Sequence, residues 1–289
     1  MVSGATLIGL SAILLWSSLA LLTAASGAMP PFQLAAVTFA IGGALGLAFA
    51  AARGRLAALR QPWPVWLLGV GGLFGYHALY FSALRQAPPA EAGLIAYLWP
   101  LLIVLLTALL PGEKLGLRHI AGALLGLAGV ATLIAGPKFS GGGGLALEAR
   151  YNTGFGLAFA CAFVWSIYSV LSRRFKSVPS EAVSGFCLAT AALAALCHGA
   201  FETTLWPVQT SNWLAILGLG LGPVGLAFYT WDHGVKHGDI RFLGVASYAA
   251  PVLSTLILVL AGRAEANSTL AVACSLIVVA AVIATTRTA

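Results

Sequence analysis

Charged residues are scarce in this sequence. Only 8% of its 289 residues are Asp, Glu, Lys or Arg, whereas 60% are hydrophobic. A water-exposed protein surface needs roughly a quarter of charged residues, and the mean hydropathy here is +0.96. The sequence therefore excludes a soluble globular protein and predicts one that resides in a lipid bilayer. Its apolar runs are long and continuous rather than short and alternating, which favours membrane helices over a membrane β-barrel.

Signatures of catalysis and of cofactor binding are missing as well. The sequence contains no HExxH, GxSxG or GxxxxGK[ST] motif, which argues against hydrolases of these types and against direct use of ATP. The four cysteines lie in apolar segments without CxxC spacing, as is typical of small core residues. The 15 Lys and Arg residues form no dense stripe of the kind that nucleic acid binds. We therefore expect no enzyme activity, no cofactor, no metal and no nucleic-acid partner.

Ten apolar segments are long enough to cross a bilayer core about 30 Å thick as helices. They cover residues 5–25, 31–52, 64–85, 89–110, 117–135, 154–172, 180–201, 212–235, 240–261 and 269–286. Prolines stand at many of the starts, where the missing N–H of proline costs a helix little. The predicted fold is an all-α polytopic membrane protein with ten transmembrane helices.

The distribution of Lys and Arg over the connectors predicts the orientation of the chain. If the spans alternate in direction, one side of the membrane receives Arg53, Arg55, Arg60, Lys114, Arg118, Arg173, Arg174, Lys176, Lys236, Arg241 and Arg287. The other side receives Arg85, Lys138, Arg150 and Arg263. Because positive residues favour the cytoplasmic side, both termini are expected in the cytoplasm.

One phrase of the sequence occurs twice. The stretch IAYLWPLLIVLLTALL, which begins at residue 95, returns in weaker form as ASYAAPVLSTLILVLA, which begins at residue 246. Tyr97 and Pro100 of the first copy fall on Tyr248 and Pro251 of the second, 151 residues later. Span four thus matches span nine, and the repeat unit contains five helices. Because five is odd, the second copy must enter the bilayer from the opposite side, which makes the two halves inverted repeats.

The sequence also predicts the boundaries of the two halves, the linker between them and the hinges within them. The first repeat is expected at residues 1–136 and the second at 152–289, and residues 137–151, which include four consecutive glycines, predict a flexible linker. Pro100 and Pro251 each remove one helical hydrogen bond, so we expect them to bend their helices and act as hinges. Inverted halves supply two similar conformations, one open to each side, with a ligand site near the middle of the bilayer.

The pattern resembles the drug/metabolite transporter superfamily, EamA-type, across essentially the whole chain. The resemblance rests on the two five-helix halves, on ALRQAPPAEAGLIAYLWPLLIVLLTALLPGEKL and on its weaker echo GVKHGDIRFLGVASYAAPVLSTLILVLAGRAE. It implies a bacterial inner-membrane carrier that works by alternating access. Glu113 and Glu265 match the glutamate that follows spans four and nine in the family, although Glu265 is one place out of register. The aromatic-rich spans are similar to those of the superfamily's exporters of aromatic amino acids.

Aromatic residues inside the spans are the candidate ligand contacts. Trp and Tyr usually gather at the two membrane interfaces, so rings in mid-span call for another explanation, and His77 is an ionisable residue near the middle of span three. Ring faces attract cations and stack on aromatic solutes, which suits an ammonium-bearing aromatic ligand. The predicted substrate-binding residues are Trp16, Tyr76, His77, Tyr80, Tyr97, Trp99, Trp165, Tyr168 and Tyr248.

The function predicted from these observations is export of aromatic amino acids and related amphipathic metabolites by a secondary transporter. The alternatives are a carrier for another small solute, such as an aliphatic amino acid, a cationic drug or a sugar conjugate, and a membrane scaffold without transport activity. The expected partners are the small-molecule substrate and membrane lipids. A monomer is expected, and a dimer through the small-residue face of span five stays open.

Two polar positions complete the prediction. Asp232 lies inside an apolar run, near the cytoplasmic end of span eight. It carries a coupling proton or forms an interfacial salt bridge with His233, Lys236 or Arg241. Its shallow depth in the membrane favours the salt bridge. His198 and Glu202 stand four residues apart, which is typical of a pair on the surface of a helix.

Overall fold

The protein is α-helical throughout the described chain. The structure is a computed structural model that describes residues 2–111, 115–140, 148–262 and 268–285. These residues contain no β-strand. Their α-helices are α1 (Gly4–Ser17), α2 (Leu19–Ala25), α3 (Pro31–Ala52), α4 (Trp63–Gln86), α5 (Pro89–Ala96), α6 (Trp99–Leu106), α7 (Leu117–Ser140), α8 (Asn152–Ser172), α9 (Val183–Phe201), α10 (Thr210–Leu221), α11 (Ala227–His237), α12 (Ile240–Ala246), α13 (Ala249–Leu260) and α14 (Ser268–Thr285).

Consecutive helices combine into segments that match the ten predicted spans. Within the described residues, nine segments are long and apolar enough to cross a membrane: Gly4–Ala25, Pro31–Ala52, Trp63–Gln86, Glu91–Leu109, Leu117–Gly136, Ala149–Phe175, Ser180–Phe201, Thr210–His237 and Ile240–Leu260. A shorter apolar helix, Ser268–Ala284, falls on the tenth predicted span. The prediction of an all-α polytopic membrane protein is therefore confirmed.

The first compact unit consists of Met1–Ala78 and Leu171–Gly238. In it, α3 packs along α9, α1 packs along α11, and α10 packs on α2 and α3. The approach of α3 to a π-helical turn, Gly222–Leu226, is very close. A Cβ atom on Gly42 would lie 2.7 Å from the Cα of Gly225. Only glycine at these two positions lets the backbones meet, as is common where membrane helices pack tightly.

The second compact unit consists of Leu79–Val170 and Asp239–Ala289. Here α7 packs along α14, and α12 packs on α6, α7 and α14. The ring of Tyr248 packs directly on Gly126 of α7. A Cβ atom on Gly126 would lie 2.4 Å from this ring, so a larger residue does not fit there. The small-residue face of span five consists of Gly122, Gly126 and Gly129, and at Gly126 it is used for packing inside this unit.

The repeated phrase forms two broken helices rather than two continuous bent ones. In the first copy the chain leaves α5 after Ala96 and enters α6 at Trp99, so Pro100 is the second residue of α6. In the second copy the chain leaves α12 after Ala246 and enters α13 at Ala249, so Pro251 is the third residue of α13. Proline is tolerated in a first turn because the N–H that it lacks has no helical acceptor there. Each break thus lies just before its proline.

The compact units do not coincide with the predicted sequence halves, because each unit takes helices from both. The halves at 1–136 and 152–289 therefore stay a prediction about internal repetition. At the predicted linker, α7 continues to Ser140 and a short turn follows at Ala149–Tyr151. Residues 141–147 of that linker, as well as Glu113 and Glu265, lie outside the described residues.

Candidate functional site

The first unit contains a connected cluster of rings. Trp16 lies 5.2 Å from Trp231 and 6.2 Å, edge-on, from Phe228, measured between ring centroids. Phe228 stacks on Phe39 at 5.4 Å with an interplanar angle of 11°. The edge of this stack meets His77, whose ring is perpendicular to Phe39 at 5.0 Å. Offset and edge-to-face contacts of this kind stabilise ring pairs beyond their buried area.

The indole of Trp16 is fixed by a hydrogen bond. Its Nε1–H donates to the carbonyl oxygen of Pro223 at 3.0 Å. Pro223 belongs to the π-helical turn Gly222–Leu226, which joins α10 to α11. Such turns disturb the regular hydrogen-bond ladder and are frequent at functional sites. Trp16 therefore connects α1 to the irregular point of the segment Thr210–His237.

His77 has a defined hydrogen-bond arrangement in the same cluster. Its Nδ1 lies 2.7 Å from the carbonyl oxygen of Leu73. A carbonyl can only accept, so Nδ1 carries the proton and Nε2 of the neutral ring is the acceptor nitrogen. The ring of Tyr76 stands nearly perpendicular to it at 5.2 Å. Tyr76 and His77 are half-buried, as is Trp16.

The second unit contains a separate set of aromatic contacts. Trp99 meets Trp165 edge-on at 6.3 Å, and Trp165 lies 5.2 Å from Tyr168. The hydroxyl of Ser166 donates to the carbonyl oxygen of Trp99 at 2.9 Å, which joins α8 to the first turn of α6. All three rings are buried. They therefore belong to the interior of this unit.

The three remaining predicted contacts also lie in the second unit. Tyr80 and Tyr97 are half-buried and retain accessible surface. Tyr248 is 0% exposed, and its hydroxyl accepts the backbone N–H of Leu101 at 3.1 Å. A ring without accessible surface cannot touch a ligand in this conformation, so Tyr248 has a packing role here.

The predicted aromatic cage is thus divided between two units. Trp16, Tyr76 and His77 belong to the first, and the other six predicted residues belong to the second. Sequence reasoning missed Phe39, Phe228 and Trp231, which complete the first cluster. A single Phe in an apolar run looks the same whether it faces lipid or a neighbouring helix. Phe228 and Trp231 stand three residues apart, so they share one face of a helix, and this spacing could have indicated that they belong to the cluster.

Asp232 forms a buried ion pair. Its carboxylate lies 2.8 Å from Nζ of Lys236, one turn along α11, and the two side chains are 2% and 3% exposed. Ser180 donates its hydroxyl to the same carboxylate oxygen, and Lys236 also donates to the carbonyl oxygen of Val178. Of the partners that the sequence offered, Lys236 is therefore the one that the structure pairs with Asp232. The predicted salt bridge is therefore present, and it is enclosed by protein.

A second buried carboxylate in the first unit is that of Glu202, which follows the C-terminal end of α9. Glu202 accepts the backbone N–H groups of Phe32 and Gln33, at 3.1 Å each, and lies 3.1 Å from Nδ1 of His198. Because α9 ends at Phe201, Glu202 is not helical, and its side chain is 2% exposed. The predicted pairing of His198 with Glu202 is therefore confirmed, but its placement on a helix surface is wrong, since the carboxylate is buried and caps the positive end of α3.

A buried acid at the start of α5 was also unexpected. Glu91 is 1% exposed although it stands in the first turn, and it begins the membrane-spanning segment Glu91–Leu109. Among the described residues, no three His, Cys, Asp or Glu side chains are grouped as a metal site requires.

Apolar helical segments that are long enough to cross a bilayer and that enclose clustered rings and charges define a polytopic membrane protein. The chain belongs to the EamA-like transporter family, whose model matches residues 2–135 and 152–286. The predicted EamA-type resemblance is confirmed. The protein is accordingly a transporter and not an enzyme.

Individual relatives narrow the comparison. The chain is 64% identical over 284 residues, 98% of its own length and 97% of the relative's, to the aromatic amino acid exporter YddG of Ancylobacter novellus. It is 29% identical to the protein of the same name in Escherichia coli, over 87% of this chain and 86% of that one. A crystal structure with 62% sequence identity superposes with a TM-score of 0.94 and covers 99% of this chain and 97% of its own.

Proposed function

We propose that this protein exports aromatic amino acids and related amphipathic metabolites as a secondary transporter of a bacterial inner membrane. The observation that carries the proposal is the 64% identity, over nearly the whole of both chains, to a protein named as an aromatic amino acid exporter. Relatedness of this extent supports a shared substrate class. The aromatic clusters offer ring faces that stack on an aromatic side chain and attract an ammonium group.

In the first unit, the half-buried side chains of Trp16, Tyr76 and His77 act as substrate contacts. The indole of Trp16 is held by Pro223, so its face is presented in a fixed orientation. Preorganised rings bind an aromatic solute at a smaller entropic cost than mobile ones. Nε2 of His77 accepts a hydrogen bond from the substrate's ammonium group, which stays protonated at neutral pH.

In the second unit, Tyr80 and Tyr97 act as substrate contacts through their ring faces and hydroxyl groups. Trp99, Trp165 and Tyr168 are buried, and the contact of Trp99 with Trp165 holds α6 against α8. We assign Tyr248 to the structural group as well, although the sequence suggested a ligand contact. A phenol can accept an ammonium donor and also offer its ring to a cation, so both half-buried tyrosines suit an amino acid.

The transport cycle is alternating access between two inverted five-helix halves, at residues 1–136 and 152–289. Both termini lie in the cytoplasm, as the excess of Lys and Arg on that side supports. The breaks before Pro100 and Pro251 act as hinges, because each proline removes one hydrogen bond of a continuous helix and a helix bends most easily where its regular bonding pattern is interrupted. The protein works as a monomer surrounded by lipid and follows the gradients of its substrate.

The test is transport by the purified protein in proteoliposomes. Vesicles loaded with unlabelled phenylalanine take up radiolabelled phenylalanine or tryptophan by exchange, at rates well above those of protein-free vesicles. Absence of such exchange contradicts the substrate assignment. Competition by leucine, by a cationic drug and by a sugar conjugate separates the alternative carriers, and a scaffold shows no flux with any of them.

A further inference from the structure

One end of the first unit has a strongly basic surface. Two segments contribute to it: residues 53–62, which join α3 to α4, and residues 173–182, which join α8 to α9. Their short helical turns, Leu56–Leu59 and Ser180–Ala182, pack against each other, so the two segments form one surface. The exposed cations on this basic surface are Arg53, Arg55, Arg60, Arg174 and Lys176.

Negative charge on the basic surface is far smaller. Glu181 is the one acid in the sequence of the two segments, and it forms an ion pair with Arg55 at 2.7 Å. The nearby carboxylate of Asp232 is enclosed and already pairs with Lys236. Within the two segments, one acid stands against five exposed cations, which is a formal excess of four positive charges. A surface with this excess attracts anions.

The position of the cations identifies which anion is involved. Arg53 directly follows the apolar segment Pro31–Ala52, and Arg60 stands three residues before Trp63, which begins the next one. Trp63 is 74% exposed and Leu56 is 46% exposed. Exposed tryptophan beside arginine at the end of an apolar span is the composition of the membrane interface. A soluble anion needs no such apolar border, whereas a lipid headgroup has acyl chains beside it.

We propose that the basic surface binds the headgroups of anionic phospholipids, such as phosphatidylglycerol, in preference to zwitterionic ones. The guanidinium groups of Arg53 and Arg60 engage phosphate oxygens, for which the planar fork of arginine is well matched. The side chains of Trp63 and Leu56 pack at the level of the glycerol and upper acyl carbons. Bound lipid then bridges residues 53–62 to residues 173–182, as the pair Arg55–Glu181 does directly.

Lipid binding to the purified, full-length protein tests this proposal without any measurement of transport. Native mass spectrometry or a fluorescent-lipid titration in micelles compares phosphatidylglycerol with phosphatidylcholine of the same acyl chains. Each surface cation contributes roughly fivefold to the affinity for an anionic lipid. We expect the wild type to prefer phosphatidylglycerol at least tenfold. The triple variant Arg53→Gln, Arg60→Gln, Lys176→Gln loses most of this preference.

The matched control removes the same charge from the second unit through Arg85→Gln, Arg118→Gln and Arg150→Gln. This control retains the wild-type preference within about twofold, and thermal melting of all three proteins verifies that they are folded. The proposal is overturned by equal binding of both lipids to the wild type, or by an equal loss in the control variant. Displacement of phosphatidylglycerol by millimolar inorganic phosphate also overturns it, because it shows a general anion site.

Discussion

The hydroxyl of Tyr248 accepts the backbone N–H of Leu101, and this hydrogen bond joins the two broken helices of the second unit. Leu101 is the residue after Pro100, and Tyr248 stands in the break before Pro251. In a continuous helix the N–H of Leu101 would bond to a carbonyl oxygen one turn earlier, and the break after Ala96 disturbs this bonding pattern. A tyrosine from the second copy of the repeated phrase thus satisfies a donor in the first copy.

Tyr248→Phe should therefore impair movement and stability rather than recognition. The substitution leaves the N–H of Leu101 without its acceptor, at a cost of about 1–3 kcal/mol for a buried donor. We expect a lower melting temperature and a changed maximal rate of phenylalanine exchange, with KM within about twofold of wild type. A KM increase of tenfold or more at unchanged melting temperature would show that the ring contacts the substrate after all.

His77 should act through the acceptor nitrogen of its ring. His77→Leu removes Nε2, and the loss of a hydrogen bond to a charged group, about 1.5–3 kcal/mol, raises KM for phenylalanine by roughly ten- to a hundredfold. His77→Gln keeps a side-chain oxygen acceptor and should stay within about fivefold of wild type. The measurement is concentration-dependent exchange in proteoliposomes. Equal KM values for the two variants would remove the proposed contact with the ammonium group.

The sequence predicted the helical architecture because span length and apolar content are local properties. The repeated proline likewise identified two related segments, and in the structure each of them contains a helix break, at Tyr97 and at Tyr248. The exact place of each break was not predictable, because a proline in a first turn and one in mid-helix look alike in the sequence. The enclosure of Asp232 was missed for a related reason: it depends on Ser180, 52 residues away.

The candidate site was predictable only as a set of residue types. Mid-span rings pointed to Trp16 and Trp165, but half-buried rings and fully buried ones carry the same sequence signal. The capping role of Glu202 was hidden because it depends on α9 ending one residue earlier and on the start of α3 lying beside it. Long-range placement of this kind is decided by packing, which sequence spacing does not record.

Glu202→Gln should destabilise the protein although Glu202 is not one of the proposed substrate contacts. The carboxylate caps two N–H groups at the positive end of α3, and loss of its charge costs about 1–2 kcal/mol. For a chain of this size that corresponds to a melting temperature lower by roughly 2–8 °C. Glu148→Gln is the matched control, because Glu148 forms an exposed pair with Arg150. Equal melting temperatures for the two variants would contradict the capping role.

The pair Asp232–Lys236 allows a structural role to be separated from proton coupling. Asp232→Asn leaves the ammonium of Lys236 enclosed without its partner charge, which costs about 3–5 kcal/mol. The double variant Asp232→Leu, Lys236→Met removes both charges and should recover most of the stability and of the exchange rate. Recovery of stability while exchange becomes insensitive to an imposed proton gradient would instead assign the carboxylate to coupling.

The inverted arrangement of the two halves makes a prediction that depends on parity alone. A repeat unit that crosses the bilayer five times returns the chain to the opposite face, so the linker and the C-terminus must lie on different sides. Alkaline phosphatase fused after Ser140 should be active, and fluorescent protein fused to the C-terminus should be fluorescent, because the first matures outside the cytoplasm and the second inside it. Phosphatase fused after Arg174, in the third predicted cytoplasmic connector, is the inactive control. Linker and C-terminus on one face would mean an even number of crossings between them, and the repeats would then be parallel.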